Sequence, residues 1–249
     1  MELTLQLLSL LFAVAFVAGF VDAMAGGGGL LTLPVLMLTG MPTVSVLATN
    51  KLQSSAGSLS ASITMIKKGL VRPKEMKTAL LLAFVGSALG TILVQLSPPD
   101  FLKKALPIVL ALVGVYTLFS SNLGKLETAP RLSQKQYECS VVPLIGFYDG
   151  YFGPGTGMFL SLSQVVCRGR EWVQATANAK LLNFATNLAA LLFFILGGQV
   201  VWLVGLVMMV GQIIGAYFGS RMVFGGGTRF IRPVIVCMCF AMVIKLLLN

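Results

Sequence analysis

The chain has 249 residues, of which 57% are hydrophobic and only 10% are charged. A soluble domain carries roughly 25% charged residues, so this composition excludes an ordinary soluble fold and favours a membrane protein. The net charge is +10, which we attribute to loops between membrane spans and not to nucleic-acid binding. Because the chain contains no histidine, a histidine-based metal site or proton relay is excluded.

Apolar segments follow one another along the chain, and several reach the roughly 20 residues that a helix needs to cross a bilayer. In chain order they are residues 3–21, 30–38, 44–66, 78–96, 102–119, 139–166, 172–196, 200–220 and 230–248. Backbone N–H and C=O groups cannot stay unpaired in hydrocarbon, so these segments are predicted to be helices. The predicted fold class is therefore all-α, in a polytopic membrane protein.

The chain also contains an internal duplication. The string Gly-Phe-Val-Asp at 19–22 recurs as Gly-Phe-Tyr-Asp at 146–149, an offset of 127 residues, and each string leads into a glycine-rich stretch. Further on, Lys51 recurs as Lys180 at an offset of 129. These matches predict a first repeat at 1–124, a cytoplasmic linker at 125–136 and a second repeat at 137–249. Duplication in a strongly apolar chain is typical of secondary transporters, whose site lies where the repeats meet.

The basic residues of the loops predict how the two repeats lie in the membrane. If every segment formed an ordinary alternating span, the loops of the two sides would hold 8 and 7 basic residues, with no positive-inside bias. If the glycine-broken elements at 3–38 and 139–166 instead enter and leave on one face, the inside loops hold 13 and the outside loops only Lys103 and Lys104. Each repeat is then a re-entrant element plus three transmembrane helices, and the two repeats are inverted.

Two lysines lie within predicted spans. An ammonium group in hydrocarbon costs about 2.5 to 3.5 kcal/mol, so Lys51 and Lys180 should each face a partner or a wet cavity. Each lysine also heads a stripe of polar residues at i+3 and i+7, which places the stripe on one helix face. The stripe members are Ser54 and Ser58 in the first copy, and Asn183 and Asn187 in the second. Two such stripes predict a compact anion site.

The glycine-rich stretches at 26–29 and 153–157 break the helix at matching points of the two copies. Each break is followed by an apolar stretch that would restart a helix, with free N–H groups and the positive dipole end at the break. In inverted-repeat transporters such half-helix ends point at anionic substrate groups. The alternative is that the glycines serve only as a hinge or a close helix crossing.

Asp22 and Asp149 precede the two breaks, and their role stays open at this stage. They could couple transport to protons. Alternatively, they could form structural ion pairs within each copy, Asp22 with Lys51 and Asp149 with Lys180, with the serines and asparagines only packing the helices.

The motifs resemble those of the TauE/SafE sulfite exporter family over almost the whole chain. The matching strings are AGFVDAMAGGGGLLTLP, ATNKLQ, GFYDGYFGPGTG and AKLLN. The resemblance implies an exporter of sulfite or organosulfonates in the bacterial inner membrane, with other small carboxylate anions as an alternative. We predict that the two lysines supply positive charge and that neighbouring groups donate hydrogen bonds. The predicted substrate-binding residues are Lys51, Lys180, Asn50, Ser54, Asn178, Asn183, Gly28, Gly155 and Thr156.

Other functions fit the sequence less well. No nucleotide-binding loop is present, so ATP is not expected to drive transport directly, and neither a cofactor nor a metal is expected. An enzyme would need a nucleophile with an activating base, whereas histidine is absent and the carboxylates come one per repeat. A passive anion channel remains the alternative to a transporter that works by alternating access. The expected partners are a small anion and the lipid bilayer, and a homodimer is a further expectation.

Overall fold

The computed structural model describes residues 4–119 and 129–222, and every regular element within these ranges is helical. The first part contains α1 (Leu5–Ala25), α2 (Gly28–Leu38), α3 (Thr43–Lys67), a 3₁₀ turn at Pro73–Met76, α4 (Lys77–Leu96) and α5 (Pro99–Phe119). The second part begins with α6 (Gln134–Gln136), which continues through a π-helical turn (Tyr137–Val141) into α7 (Val142–Tyr151). It ends with α8 (Thr156–Arg168), α9 (Trp172–Leu196) and α10 (Trp202–Met222).

Four of the described helical segments are long and apolar enough to cross a membrane: Leu5–Ala25, Pro73–Leu96, Trp172–Leu196 and Trp202–Met222. Large apolar side chains also cover the outside of the molecule, as a lipid-facing surface requires. Leu89 on α4, for example, is 56% exposed. The predicted all-α fold of a polytopic membrane protein is confirmed. The predicted segment at 230–248 lies outside the described residues.

Helix packing follows the internal duplication. Helix α1 packs along α10, and α7, its counterpart in the second copy, packs along α4. The backbones touch at glycines: a Cβ on Gly90 would lie 2.1 Å from the Phe147 carbonyl oxygen, and one on Gly219 would lie 2.3 Å from that of Phe20. These two contacts are related by the sequence offsets of 129 and 127. Each copy therefore lends its first helix to the other copy.

The chain reverses direction at both glycine breaks. Gly28 lies against Ala18, since a Cβ there would come within 2.9 Å of the Ala18 carbonyl oxygen. Ten residues of a straight helix span about 15 Å, so α2 must turn back along α1. In the second copy the rings of Tyr148 and Phe159 meet edge to face at 5.3 Å, which turns α8 back along α7.

The loops with many basic residues gather at one end of the molecule. The α3–α4 loop, the segment before α6 and the α8–α9 loop contact one another: Gln174 donates to the Leu70 carbonyl oxygen (2.6 Å), and the Leu132 amide donates to that of Cys167 (3.0 Å). The uncharged α9–α10 connection lies near the start of α3, where the Val201 amide donates to Thr49 Oγ1 (3.1 Å). This grouping matches the one used for the charge count. Which end faces the cytoplasm, and so the inversion itself, stays a prediction.

Candidate functional site

The two glycine breaks meet at the centre of the molecule. Gly26 ends α1 in the left-handed region, with φ of 73°. A Cβ on Gly26 would lie 2.4 Å from the carbonyl carbon of Gly157, the second residue of α8. Only glycine combines a positive φ with such a close backbone contact. The broken elements of the two copies therefore touch through their backbones.

Asp22 caps the helix that follows the first break. Its Oδ1 accepts hydrogen bonds from the amides of Gly27 and Gly28, both at 3.2 Å, and so neutralises the N-terminal end of α2. Its Oδ2 lies 3.1 Å from Nζ of Lys180, which is fully buried on α9. Lys180 Nζ also donates to the Asp22 carbonyl oxygen. Asp22 is thus held by three donors.

Asp149 lies at the second break and pairs with the other lysine. Lys51 Nζ is 2.8 Å from Asp149 Oδ1, and both side chains are almost completely buried. The same ammonium group donates to Asn187 Oδ1 at 3.1 Å. The polar stripe on α9 therefore contributes an acceptor to the lysine of α3, a role for which sequence reasoning did not select Asn187.

Each ion pair joins one copy to the other: Lys51 of the first copy binds Asp149, and Lys180 of the second binds Asp22. Pairing within each copy, the alternative derived from the sequence, is wrong. The reason is the turn of each broken element, which directs its carboxylate across the centre of the molecule towards the long helix of the other copy.

Amide side chains continue the polar network on both sides. Asn50 Oδ1 accepts from Thr32 Oγ1 at 2.6 Å and from Gln53 Nε2 at 2.9 Å. On α9, Asn187 Nδ2 donates to Asn183 Oδ1 at 3.0 Å. These bonds fix the long helices α3 and α9 against the broken elements, and they hold the polar side chains towards one small space.

This space is a cavity of about 20 Å³ between the two breaks. Most of the predicted site residues line it: Asn50, Ser54, Asn183, Gly28, Gly155 and Thr156. Asp22, Asp149 and Asn187 line it as well, and the two lysine ammonium groups lie behind the two carboxylates. A single water needs about 10 to 15 Å³, so the cavity has room for a water but not for a sulfonate group.

Asn178 lies apart from this cavity. It is buried on α9 and lines a second cavity of about 430 Å³, at the end of the molecule where the basic loops gather. Arg72 and Arg170 line the same space. This placement separates Asn178 from the other residues predicted to bind substrate.

The two carboxylates differ in how well they are satisfied. In contrast to Asp22, Asp149 has one oxygen, Oδ2, that is buried and accepts no hydrogen bond from any residue the structure describes. The N-terminal residue of α8 is also without a side-chain cap, whereas Asp22 serves the amides before α2. The second break is therefore the more open half of the site.

Comparison with known proteins identifies what the chain is similar to. A family model described as Sulfite exporter TauE/SafE matches residues 11–246. A probable membrane transporter protein of Haemophilus influenzae is 46% identical over 99% of this chain and 96% of its own length. The probable membrane transporter protein YfcA of Escherichia coli K12 is 46% identical over 97% of this chain and 90% of its own. No solved structure matches the chain.

Proposed function

Because the chain belongs to the TauE/SafE sulfite exporter family, we propose that it exports small sulfur-containing anions, such as sulfite and organosulfonates, across the bacterial inner membrane. The protein is a multi-pass membrane transporter, and its relatives are named as transporters, not enzymes. The identity of the anion, the route across the membrane and the choice of membrane are the parts that we propose.

One observation carries the proposal: two buried lysines from the two copies meet at two helix breaks, and each is neutralised by a carboxylate of the other copy. A buried ammonium group needs a negative partner, but that partner need not be the same in every state. A sulfonate or sulfite oxygen can take the place of a carboxylate oxygen on the lysine. The free amide ends near Gly155 and the side chains of Ser54 and Asn183 can then bind the remaining oxygens.

The small size of the central cavity supports alternating access. At about 20 Å³ it cannot hold the substrate, so this conformation is a closed one. Substrate binding then requires the broken elements to separate from the long helices α3 and α9, first towards one side of the membrane and later towards the other. In inverted-repeat transporters, rocking of one bundle against another produces such an exchange.

The direction of transport follows from the charge of the anion. An inside-negative membrane potential favours outward movement of negative charge by about 2.3 kcal/mol per charge per 100 mV. A carrier that moves net negative charge therefore exports without a nucleotide. A homodimer formed through the helices outside the site remains a prediction.

Reconstitution into liposomes tests the function. We expect purified protein to be stabilised against heat by sulfite or by a sulfonate, since a ligand that binds the folded state raises its stability. Liposomes loaded with that anion should release it at a rate that saturates with concentration and that is accelerated by the same anion outside. Release that rises without saturation would favour the passive channel. Stabilisation by carboxylates alone would favour the carboxylate exporter.

Labelling of single cysteines tests the inverted topology. In a cysteine-free background, Gln199→Cys in the α9–α10 connection should react with a membrane-impermeant maleimide from outside the cell. Lys68→Cys in the basic loop should react only after the membrane is opened, because positive loops stay in the cytoplasm. If Lys68→Cys reacts from outside and Gln199→Cys does not, the orientation is reversed. Equal accessibility of a third probe at Thr39 and of Gln199→Cys is required by the inversion.

A further inference from the structure

The two ion pairs are related by the duplication but are built differently. The amides of Gly27 and Gly28 both donate to Asp22, at 3.2 Å each. At the corresponding place in the second copy, 127 residues later, Gly27 is replaced by Pro154. Proline has no N–H, so the amide that would satisfy Asp149 is missing from the sequence itself. The missing donor explains why Asp149 Oδ2 is left without a partner among the described residues.

The environment of Asp149 makes this oxygen a place for a proton. The side chain is 1% exposed, and it lines the cavity of about 20 Å³, which is large enough for one water to deliver a proton. A buried carboxylate oxygen that accepts no hydrogen bond is costly, and that cost disappears when the oxygen carries a proton. Asp22 gains nothing in this way, because both its oxygens already accept hydrogen bonds.

The groups around Asp149 determine what protonation does. The charged and titratable ones are Lys51 on α3, Lys180 on α9, Asp22 on α1 and the phenol of Tyr148 on α7. Helices α4 and α8 contribute only uncharged groups at this point, among them Ser87 and Thr156. Lys180 is already held by Asp22, and the Tyr148 hydroxyl donates to the Pro154 carbonyl oxygen at 2.6 Å. Lys51 is therefore the cation that a proton on Asp149 would release.

We propose that Asp149 takes up one proton when the substrate anion binds, whereas the Lys180–Asp22 pair stays closed as a structural fastener. The proton comes from water and forms an O–H bond at Asp149 Oδ2. Lys51 keeps its own proton and its positive charge, and it exchanges Asp149 Oδ1 for an oxygen of the anion. The inference rests on the proposed function, since it concerns the same site. It adds that a monovalent anion is carried with one proton, and that a divalent anion still moves one net negative charge.

Binding of ethanesulfonate at several pH values tests this proposal, because the charge of a sulfonate does not change near neutral pH. Uptake of one proton makes the affinity rise by up to roughly tenfold for each unit that the pH falls. We expect this dependence in the native protein and in Asp22→Asn, although Asp22→Asn should be less stable. In Asp149→Asn the affinity should be independent of pH, since the amide cannot take up the proton.

Pro154→Ala provides a second variant that leaves the acid in place. It restores an N–H beside Asp149, as Gly27 provides beside Asp22, and the new donor stabilises the carboxylate form. We expect its pH dependence to begin at a lower pH than in the native chain. An affinity that is independent of pH in the native protein, or a dependence that is lost in Asp22→Asn but kept in Asp149→Asn, would overturn the proposal.

Difference infrared spectra separate a failure of this inference from a failure of the proposed function. A protonated carboxyl group has its own C=O stretching band, and acidification without any anion should produce this band at Asp149. The band should be missing in Asp149→Asn and present in Asp22→Asn. If no sulfonate binds but this pattern is seen, the proposed substrate is wrong and the proton site stands. If sulfonate binds but the band belongs to Asp22, the transporter stands and the proton site is wrong.

Discussion

The Lys51→Met variant is expected to be less stable than the native chain and to transport no anion. Removal of the ammonium group strands the buried carboxylate of Asp149, which costs about 3 to 5 kcal/mol. The double variant Lys51→Met with Asp149→Asn no longer contains that charge, so most of the stability should return. Transport should stay absent, because the site still lacks its cation. Melting temperature in detergent and anion efflux from proteoliposomes measure the two effects separately.

Lys103→Met provides the matched control, since Lys103 is exposed at the start of α5 and its loss should change neither quantity. The structure also decides which double variant is informative. Asp22→Asn does not rescue Lys51→Met, because Asp22 is bound to Lys180. Recovery of both stability and transport in the variant that combines Lys51→Met with Asp149→Asn would show that Lys51 is structural and that the anion binds elsewhere.

The parts of the site that follow a local rule could be predicted from the sequence. An ionisable residue inside an apolar span must find a polar environment, so Lys51 and Lys180 were identifiable without any coordinates. Glycine runs that recur after matching aspartates predicted the two breaks, and the structure ends α1 at Ala25 and begins α8 at Thr156 close to them. The periodicity of 3.6 residues placed Ser54 and Asn183 on the same faces as the lysines, and both line the central cavity.

Partner choice could not be predicted in the same way. Asp22 is 29 residues from Lys51 but 158 from Lys180, so short loop closure favours the wrong pair. Which lysine a carboxylate meets depends on how the two copies face each other, and that is decided by close packing elsewhere, such as Gly90 against Phe147 and its repeat at Gly219. No single segment of the sequence contains this information.

Asn178 illustrates an error that helical geometry could have prevented. Asn178 and Lys180 are two residues apart, which places their side chains about 200° apart around the axis of α9. They cannot both face the central cavity, and Asn178 instead faces the cavity among the basic loops. The loss of a donor at Pro154 was also visible in the sequence, but its meaning required the hydrogen bonds that Gly27 makes in the first copy.

The Gly26→Ala variant is expected to lose transport together with much of its stability. Its φ of 73° is strained for any residue with a Cβ, at a cost of about 1 to 2 kcal/mol. In addition, the new methyl group would lie 2.4 Å from the carbonyl carbon of Gly157, and backbone cannot move aside as a side chain can. The two breaks would be pushed apart, which pulls Asp22 away from Lys180. Melting temperature and efflux again provide the measurement.

Gly69→Ala separates the clash from the strain. Gly69 has the same φ of 73°, but no atom lies within 4 Å of the position that its Cβ would take. It therefore pays only the conformational cost, and we expect Gly69→Ala to melt slightly lower and to transport at close to the native rate. The difference between the two alanine variants measures what contact between the breaks contributes. Equal melting temperatures and equal transport in both variants would mean that the contact between Gly26 and Gly157 is not needed, and that the two copies do not share one site at this point.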